Sequence, residues 1–151
     1  ADRYKSPREI VGLLVNIVAK GGNLALNVSP QPDGRIPVDA MDSLKGLGQW
    51  LKTYGEAIYG TRVCAPYQSG NLAFTQKKDA VYAIRLYPVA QESVEGTLFL
   101  PYTGKVSEIT LLDSGEAVSF TASEGGYAVT IPAGRRTGSA PIALVFKLRK
   151  A

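Results

Sequence analysis

Apolar residues recur three and four positions apart at Ile10, Leu13, Leu14, Ile17 and Val18, the spacing of one face of an α-helix. Ser6-Pro7 supplies an N-cap followed by proline at the first helical position, and Glu9, three residues after Ser6, completes a capping box. Gly21-Gly22 ends this helix in a left-handed cap. Residues 23–29 then alternate strictly, with Leu24, Leu26 and Val28 on one side and Asn23, Ala25, Asn27 and Ser29 on the other. The second side carries small residues and amides rather than large charged groups, which suits the crowded inside of a closed barrel. After the turn-rich segment Pro30 to Gly34, a second helix is expected from about Asp39 to Tyr54. Its stripe is Met41, Leu44, Leu47, Leu51 and Tyr54, bordered by Trp50, and Gly55 stops it. Helix, strand, loop and helix make one and a half units of a βα repeat, which cannot bury both faces of its strand alone.

From about residue 70 the period changes from 3.6 to two. Seven strands are expected, at 72–76, 80–87, 96–101, 107–113, 117–122, 126–131 and 141–148. Asp113-Ser114-Gly115-Glu116 and Ser123-Glu124-Gly125-Gly126 read as hairpin loops. So many short strands at such spacing predict a β-sandwich. Thr61 to Ser69, which holds Pro66, reads as the linker, dividing the chain into 1–62 and 63–151.

Composition narrows the chemistry. The 151 residues carry 17 basic and 13 acidic side chains, for a net charge of +4. The excess is shared evenly between residues 1–62 and 63–151, so no nucleic-acid face is expected. Histidine is absent, which removes the commonest general base and the commonest nitrogen ligand, and no Ser-His-Asp or Cys-His site is possible. The single cysteine, Cys64, forms no intrachain disulfide or thiolate cluster and reads as a small buried apolar residue. No metal site, cofactor or membrane association is expected. The opening Ala1-Asp2-Arg3-Tyr4, with helical periodicity almost at once, reads as an internal cut in a longer protein.

Paired carboxylates would mark a glycoside hydrolase. The acids here fall at turns and helix surfaces: Asp33 in a turn, Asp39 and Asp42 in a first helical turn, Glu56 after a helix break. Each reads as solvated or capping, so no catalytic residue is assigned in this chain. Asn27, near the carboxyl end of its strand, can both donate and accept, and is the one candidate positioning residue, for a carboxylate or a sugar hydroxyl. Gly46 and Gly48 lie within a helix, for close packing rather than phosphate binding. Trp50 reads as packing between domains; Tyr87 and Tyr102, each beside a proline at a strand end, read as core or edge residues before sugar-stacking platforms.

The segment Lys20-Gly21-Gly22-Asn23-Leu24-Ala25-Leu26-Asn27-Val28-Ser29-Pro30 closely resembles the KGGNLLLNxGP segment of the family 29 α-L-fucosidases. Pro32-Asp33-Gly34-Arg35-Ile36-Pro37, Gly48-Gln49-Trp50-Leu51 and Gly55-Glu56-Ala57-Ile58-Tyr59-Gly60-Thr61 continue it. Phe74-Thr75-Gln76-Lys77 and Tyr82-Ala83-Ile84 are similar to the opening strands of that family's carboxyl-terminal domain. The resemblance implies the last helix, strand and helix of a (β/α)8-type barrel, followed by an all-β antiparallel sandwich. It implies part of a retaining exo-glycosidase that releases terminal α-L-fucose from glycans through a covalent intermediate, with an Asp nucleophile and a separate acid/base carboxylate. Those residues belong to earlier barrel strands, so this chain alone is expected to be inactive. Its expected partners are the rest of the barrel and a fucosylated glycan, and its expected location is secreted, periplasmic or lysosomal. The alternative is a non-catalytic carbohydrate-binding or structural sandwich module.

Overall fold

The computed structural model describes residues 5–22 and 38–151, with Asp39 described by its backbone alone. The expected strand 23–29, with Asn23 and Asn27, lies outside the described residues, as does Asp33.

Helix α1 spans Pro7–Ala19 and α2 spans Val38–Tyr54, followed by a 3-10 turn at Gly55–Ala57. The capping box forms as the sequence requires: the Ser6 hydroxyl accepts from the Glu9 backbone N–H, and the Glu9 carboxylate accepts from the Ser6 backbone N–H. Gly21 takes the left-handed conformation, φ +87°, just past the helix.

Eight strands follow: β1 (Arg62–Ser69), β2 (Leu72–Gln76), β3 (Ala80–Leu86), β4 (Thr97–Leu100), β5 (Val106–Leu111), β6 (Phe120–Ser123), β7 (Gly126–Thr130) and β8 (Ala143–Lys150). They form an antiparallel five-stranded sheet, β1-β2-β3-β8-β5, and an antiparallel three-stranded sheet, β4-β7-β6. The second hairpin loop forms as expected, with Ser123 opposite Gly126 and Gly125 at φ +84°. The first closes by a bridge between Thr110 and Ala117, and regular strand resumes only at Phe120.

The expected linker is instead strand β1. Pro66 argues against a central strand, but β1 is the edge of its sheet, and its pairing with β2 is irregular between Val63 and Gln68. A residue without an N–H is tolerated there because no ladder bond is lost.

Two cores flank the large sheet. Between the sheets, Phe74, Val81, Leu144, Phe146 and Leu148 meet Leu100 and Val129. On the other face, Ala73, Ala80, Tyr82, Ile84 and Val145 meet Val11, Val15 and Trp50 of the helices. Both helices are turned from the expected face. In α1 the buried residues are Ile10, Val11, Leu14, Val15 and Ala19, while Leu13, Ile17 and Val18 are half-buried. In α2 they are Ala40, Ser43, Leu47 and Trp50, while Leu44, Leu51 and Tyr54 are half-buried and Met41 is 38% exposed. Each helix is apolar around more than one face, so spacing alone does not choose which face meets the sheet. Gly46 permits the helices to touch, since a Cβ there would collide with the Pro7 ring; a Cβ on Gly48 would meet nothing within 4 Å, so only one of the two glycines serves close packing.

Candidate functional site

The helix layer is joined to the sandwich by specific polar bonds rather than by apolar contact alone. At the start of α1, Arg8 sits in the first turn, where the helix dipole disfavours a cation. Its guanidinium donates to the carbonyls of Tyr87 (2.6 Å), Pro141 (2.8 Å) and Ala140 (3.0 Å), all in the sandwich. Further along α1, Asn16 accepts from the Gln68 amide of β1. The buried Thr75 hydroxyl of β2 donates to the Ala57 carbonyl at 2.7 Å.

After α2, Glu56 accepts from the Tyr82 hydroxyl at 2.6 Å and pairs with Lys147 Nζ at 2.7 Å. Those partners, Lys147 first and then Tyr82, hold the Glu56 carboxyl below its ordinary value despite partial burial. Burial and the adjacent carboxylate push Tyr82 up. At the end of α2, the Tyr54 hydroxyl donates to Asp113, which Arg135 grips bidentately at 2.7 and 2.8 Å. Burial and then the Asp113 charge push Tyr54 up to about 12, while Arg135 holds Asp113 below the usual carboxylate range.

Inside the sandwich, Arg85 donates to Glu95 at 2.9 Å, lies 3.9 Å from Glu92, and stacks over the Tyr87 ring at 4.2 Å. The Tyr87 hydroxyl also donates to Glu95. Burial alone would raise Glu95, but the bonds from Tyr87 and Arg85 outweigh it and hold the carboxyl low.

These arrangements bear directly on catalysis. A glycosidase acid must stay protonated near neutrality, which takes a raised carboxyl. Glu56, Glu95 and Asp113, the described carboxylates with a resolved shift, are all lowered by cations or hydroxyls, and each already accepts from its neighbours. They act as ionised tethers. Among the described residues no cluster of three or more His, Cys, Asp or Glu is placed to hold a metal ion.

The remaining sequence candidates fall as follows. Trp50 is 6% exposed and packs in the helix–sheet core, 5.0 Å from the Tyr54 ring, with its indole N–H unpaired among the described residues. Tyr87 is fully buried and Tyr102 half-buried, so neither is an open stacking platform. Cys64 is buried, and burial raises its thiol. Asp42 is exposed on α2. Sequence reasoning missed Arg8, whose signal was a cation at the wrong end of a helix. It also gave Glu56 no partner, because Tyr82 and Lys147 reach it only through the pairing of β3 with β8.

The α-L-fucosidase family profile matches residues 1–56. The chain is 37% identical over 139 residues to the plasma α-L-fucosidase of Rattus norvegicus, an alignment covering 85% of this chain and 29% of that protein. Its fold superimposes on α-L-fucosidase isoenzyme 1 from Paenibacillus thiaminolyticus with a TM-score of 0.81, at 30% identity over 98% of this chain and 35% of that one. The Thermotoga maritima α-fucosidase in complex with fucose gives a TM-score of 0.80, at 30% identity over 95% of this chain and 34% of that one. The chain therefore spans about a third of the length of the proteins it resembles.

Proposed function

The chain belongs to the α-L-fucosidase family, and from that premise we propose that it serves as the carboxyl-terminal part of a retaining exo-α-L-fucosidase. In this reading residues 1–62 supply the last helix, strand and helix of the catalytic barrel, and residues 63–151 form the sandwich that braces them. The rest of the barrel carries the nucleophile and the acid/base carboxylate, and the substrate is a glycan ending in α-L-fucose. A secreted, periplasmic or lysosomal location fits a family that includes a plasma enzyme.

The observation that carries this reading is the pairing of two facts. The family match runs through the helical segment, residues 1–56, while the described carboxylates with resolved shifts are all tethered in the ionised form. A segment with family character whose one carboxylate with a resolved shift, Glu56, is already held by Lys147 and Tyr82 braces a site whose reacting groups, in this reading, lie elsewhere. The half-buried Leu13 and Ile17 on α1, which stand outside the helix–sheet core, are in keeping with further barrel packing on that side.

Asn27 is the positioning residue of this proposal. The complete protein should hydrolyse an aryl α-L-fucoside, and residues 1–151 alone should not. Asn27→Ala in the complete protein should lower kcat by about 1.5–3 kcal/mol in barrier, the worth of one hydrogen bond to a charged group, with little change in melting temperature. Turnover by the isolated chain would overturn the division of labour. A fall in melting temperature with unchanged turnover per folded molecule would make Asn27 purely structural.

A further inference from the structure

Cations distant in sequence converge at one end of the five-stranded sheet. Lys77 and Lys78 come from the β2–β3 turn, and Lys147, Arg149 and Lys150 from β8; together they line a recess of about 680 Å³. Arg62, at the start of β1, lines an adjoining recess with Lys77, Lys78 and Lys150. The strand register makes this cluster: β3 pairs with both β2 and β8, setting Gln76 opposite Val81 and Ala80 opposite Arg149.

Few acids balance it. Glu56 and Asp79 share the recess wall, and Glu108 stands opposite Arg149 on β5. Glu56 is engaged by Lys147 and Tyr82. Lys150 donates to the Gln76 side chain at 2.9 Å and the Lys77 carbonyl at 2.8 Å. Lys78, Arg149 and Arg62 are exposed, and none pairs with a carboxylate among the described residues. The six cations exceed the three acids by three, most of the chain's net charge of +4. Like charges gathered this closely repel one another, and an anion that enters the recess relieves that repulsion.

The shape selects among anions. The aromatic ring of the recess, Tyr82, is 1% exposed and its hydroxyl is bound to Glu56, so it offers no face for stacking a base. A concave basic recess does not enter a duplex groove. The uncommitted cations are one ammonium, Lys78, and two guanidiniums, Arg149 and Arg62, a donor set suited to a compact oxyanion with several acceptor oxygens. We propose that this recess is an anion-binding subsite that receives sulfate esters of a sulfated glycan. The choice of a glycan as carrier rests on the fucosidase reading; the existence of an anion site does not.

The test measures binding of the complete protein to dextran sulfate, neutral dextran and single-stranded DNA at about 0.15 M salt, where diffuse surface attraction is screened. The protein should bind dextran sulfate and not dextran. Lys78→Gln with Arg149→Gln should weaken this at least about tenfold. Lys45→Gln with Arg136→Gln removes the same net charge from exposed sites outside the recess and should leave it within about twofold. Equal losses in the two double variants, or no binding at all, would overturn the site. Tighter binding to DNA than to dextran sulfate would overturn the glycan assignment. Hydrolysis of a neutral aryl α-L-fucoside by the same preparations should be equal in wild type and the Lys78/Arg149 variant. Its absence from the wild type would defeat the enzyme reading and leave the anion-binding comparison standing.

Discussion

One face of the five-stranded sheet is closed by Phe74, Leu144, Phe146 and Leu148 against Leu100 and Val129 of the smaller sheet. The other is closed by Ala73, Ala80, Ala143 and Val145, with Tyr82 and Ile84, against α1 and α2. The first is a core of large side chains, several of them fully buried, in which dispersion and the removal of apolar surface dominate. The second uses small residues that let helices approach, and it adds Arg8 to three carbonyls, Thr75 to Ala57, and Tyr82 to Glu56. Apolar packing tolerates some sliding, whereas each polar bond has one geometry. The sandwich core therefore supplies stability, while the helix face fixes where the helices sit.

The largest expected effect lies in the sandwich core. Phe146 is fully buried, and Phe146→Ala should cost about 3–5 kcal/mol by lost burial and a residual cavity. Urea unfolding of the chain followed by near-UV circular dichroism would measure it. A loss below about 1.5 kcal/mol, the range of a conservative swap, would mean that this face is not the main source of stability.

Arg8→Ala should have the next largest effect and a different character. It removes charge-assisted bonds to Tyr87, Pro141 and Ala140 and should cost about 1.5–3 kcal/mol. In hydrogen exchange, amides of α1 should lose protection while those of β3 and β8 keep theirs, because the tether acts on the helix and not on the sheet. Uniform loss across both elements would show that the two faces act as one cooperative core.

The same contrast explains what could be read from sequence. Strands β2, β3, β4 and β7 fell within a residue of their expected ends because a two-sheet core imposes a period of two on each strand. The caps of α1 were legible because Ser6, Pro7, Glu9 and Gly21 act locally. Strand β1 was hidden by Pro66, which is harmless only because other strands leave β1 at the edge. The buried faces of α1 and α2 were misread because Leu13, Ile17, Met41 and Leu44 are apolar yet point away from the sheet's core. The basic recess was invisible because its charges lie about 70 residues apart and meet only through strand pairing. Asn27, the candidate positioning residue, falls outside the described residues.

The smallest expected effect tests whether the polar seam is electrostatic. Glu56 is lowered in the folded protein by Lys147 and Tyr82. A carboxyl lowered by folding adds stability that is present above its unfolded value of about 4.3 and is lost as pH falls through the folded value. Tyr82 is raised, so its contribution is present below about pH 10 and is lost as pH rises beyond that. Tyr82→Phe keeps the buried ring and removes only the hydroxyl that donates to Glu56. At pH 7 it should cost about 1 kcal/mol, the net worth of such a bond. At acid pH, as Glu56 is protonated below its lowered folded value and that bond weakens, the gap between wild type and Tyr82→Phe should shrink. The Glu56 carboxyl should also move up toward its ordinary value in the variant, which carboxyl-resolved NMR titration can read. Lys147 would still hold it partly down, so the shift should be incomplete. If the stability gap is the same at both pH values and Glu56 titrates unchanged, the hydroxyl contributes by packing alone. The helix face would then differ from the sandwich core in residue size and not in kind.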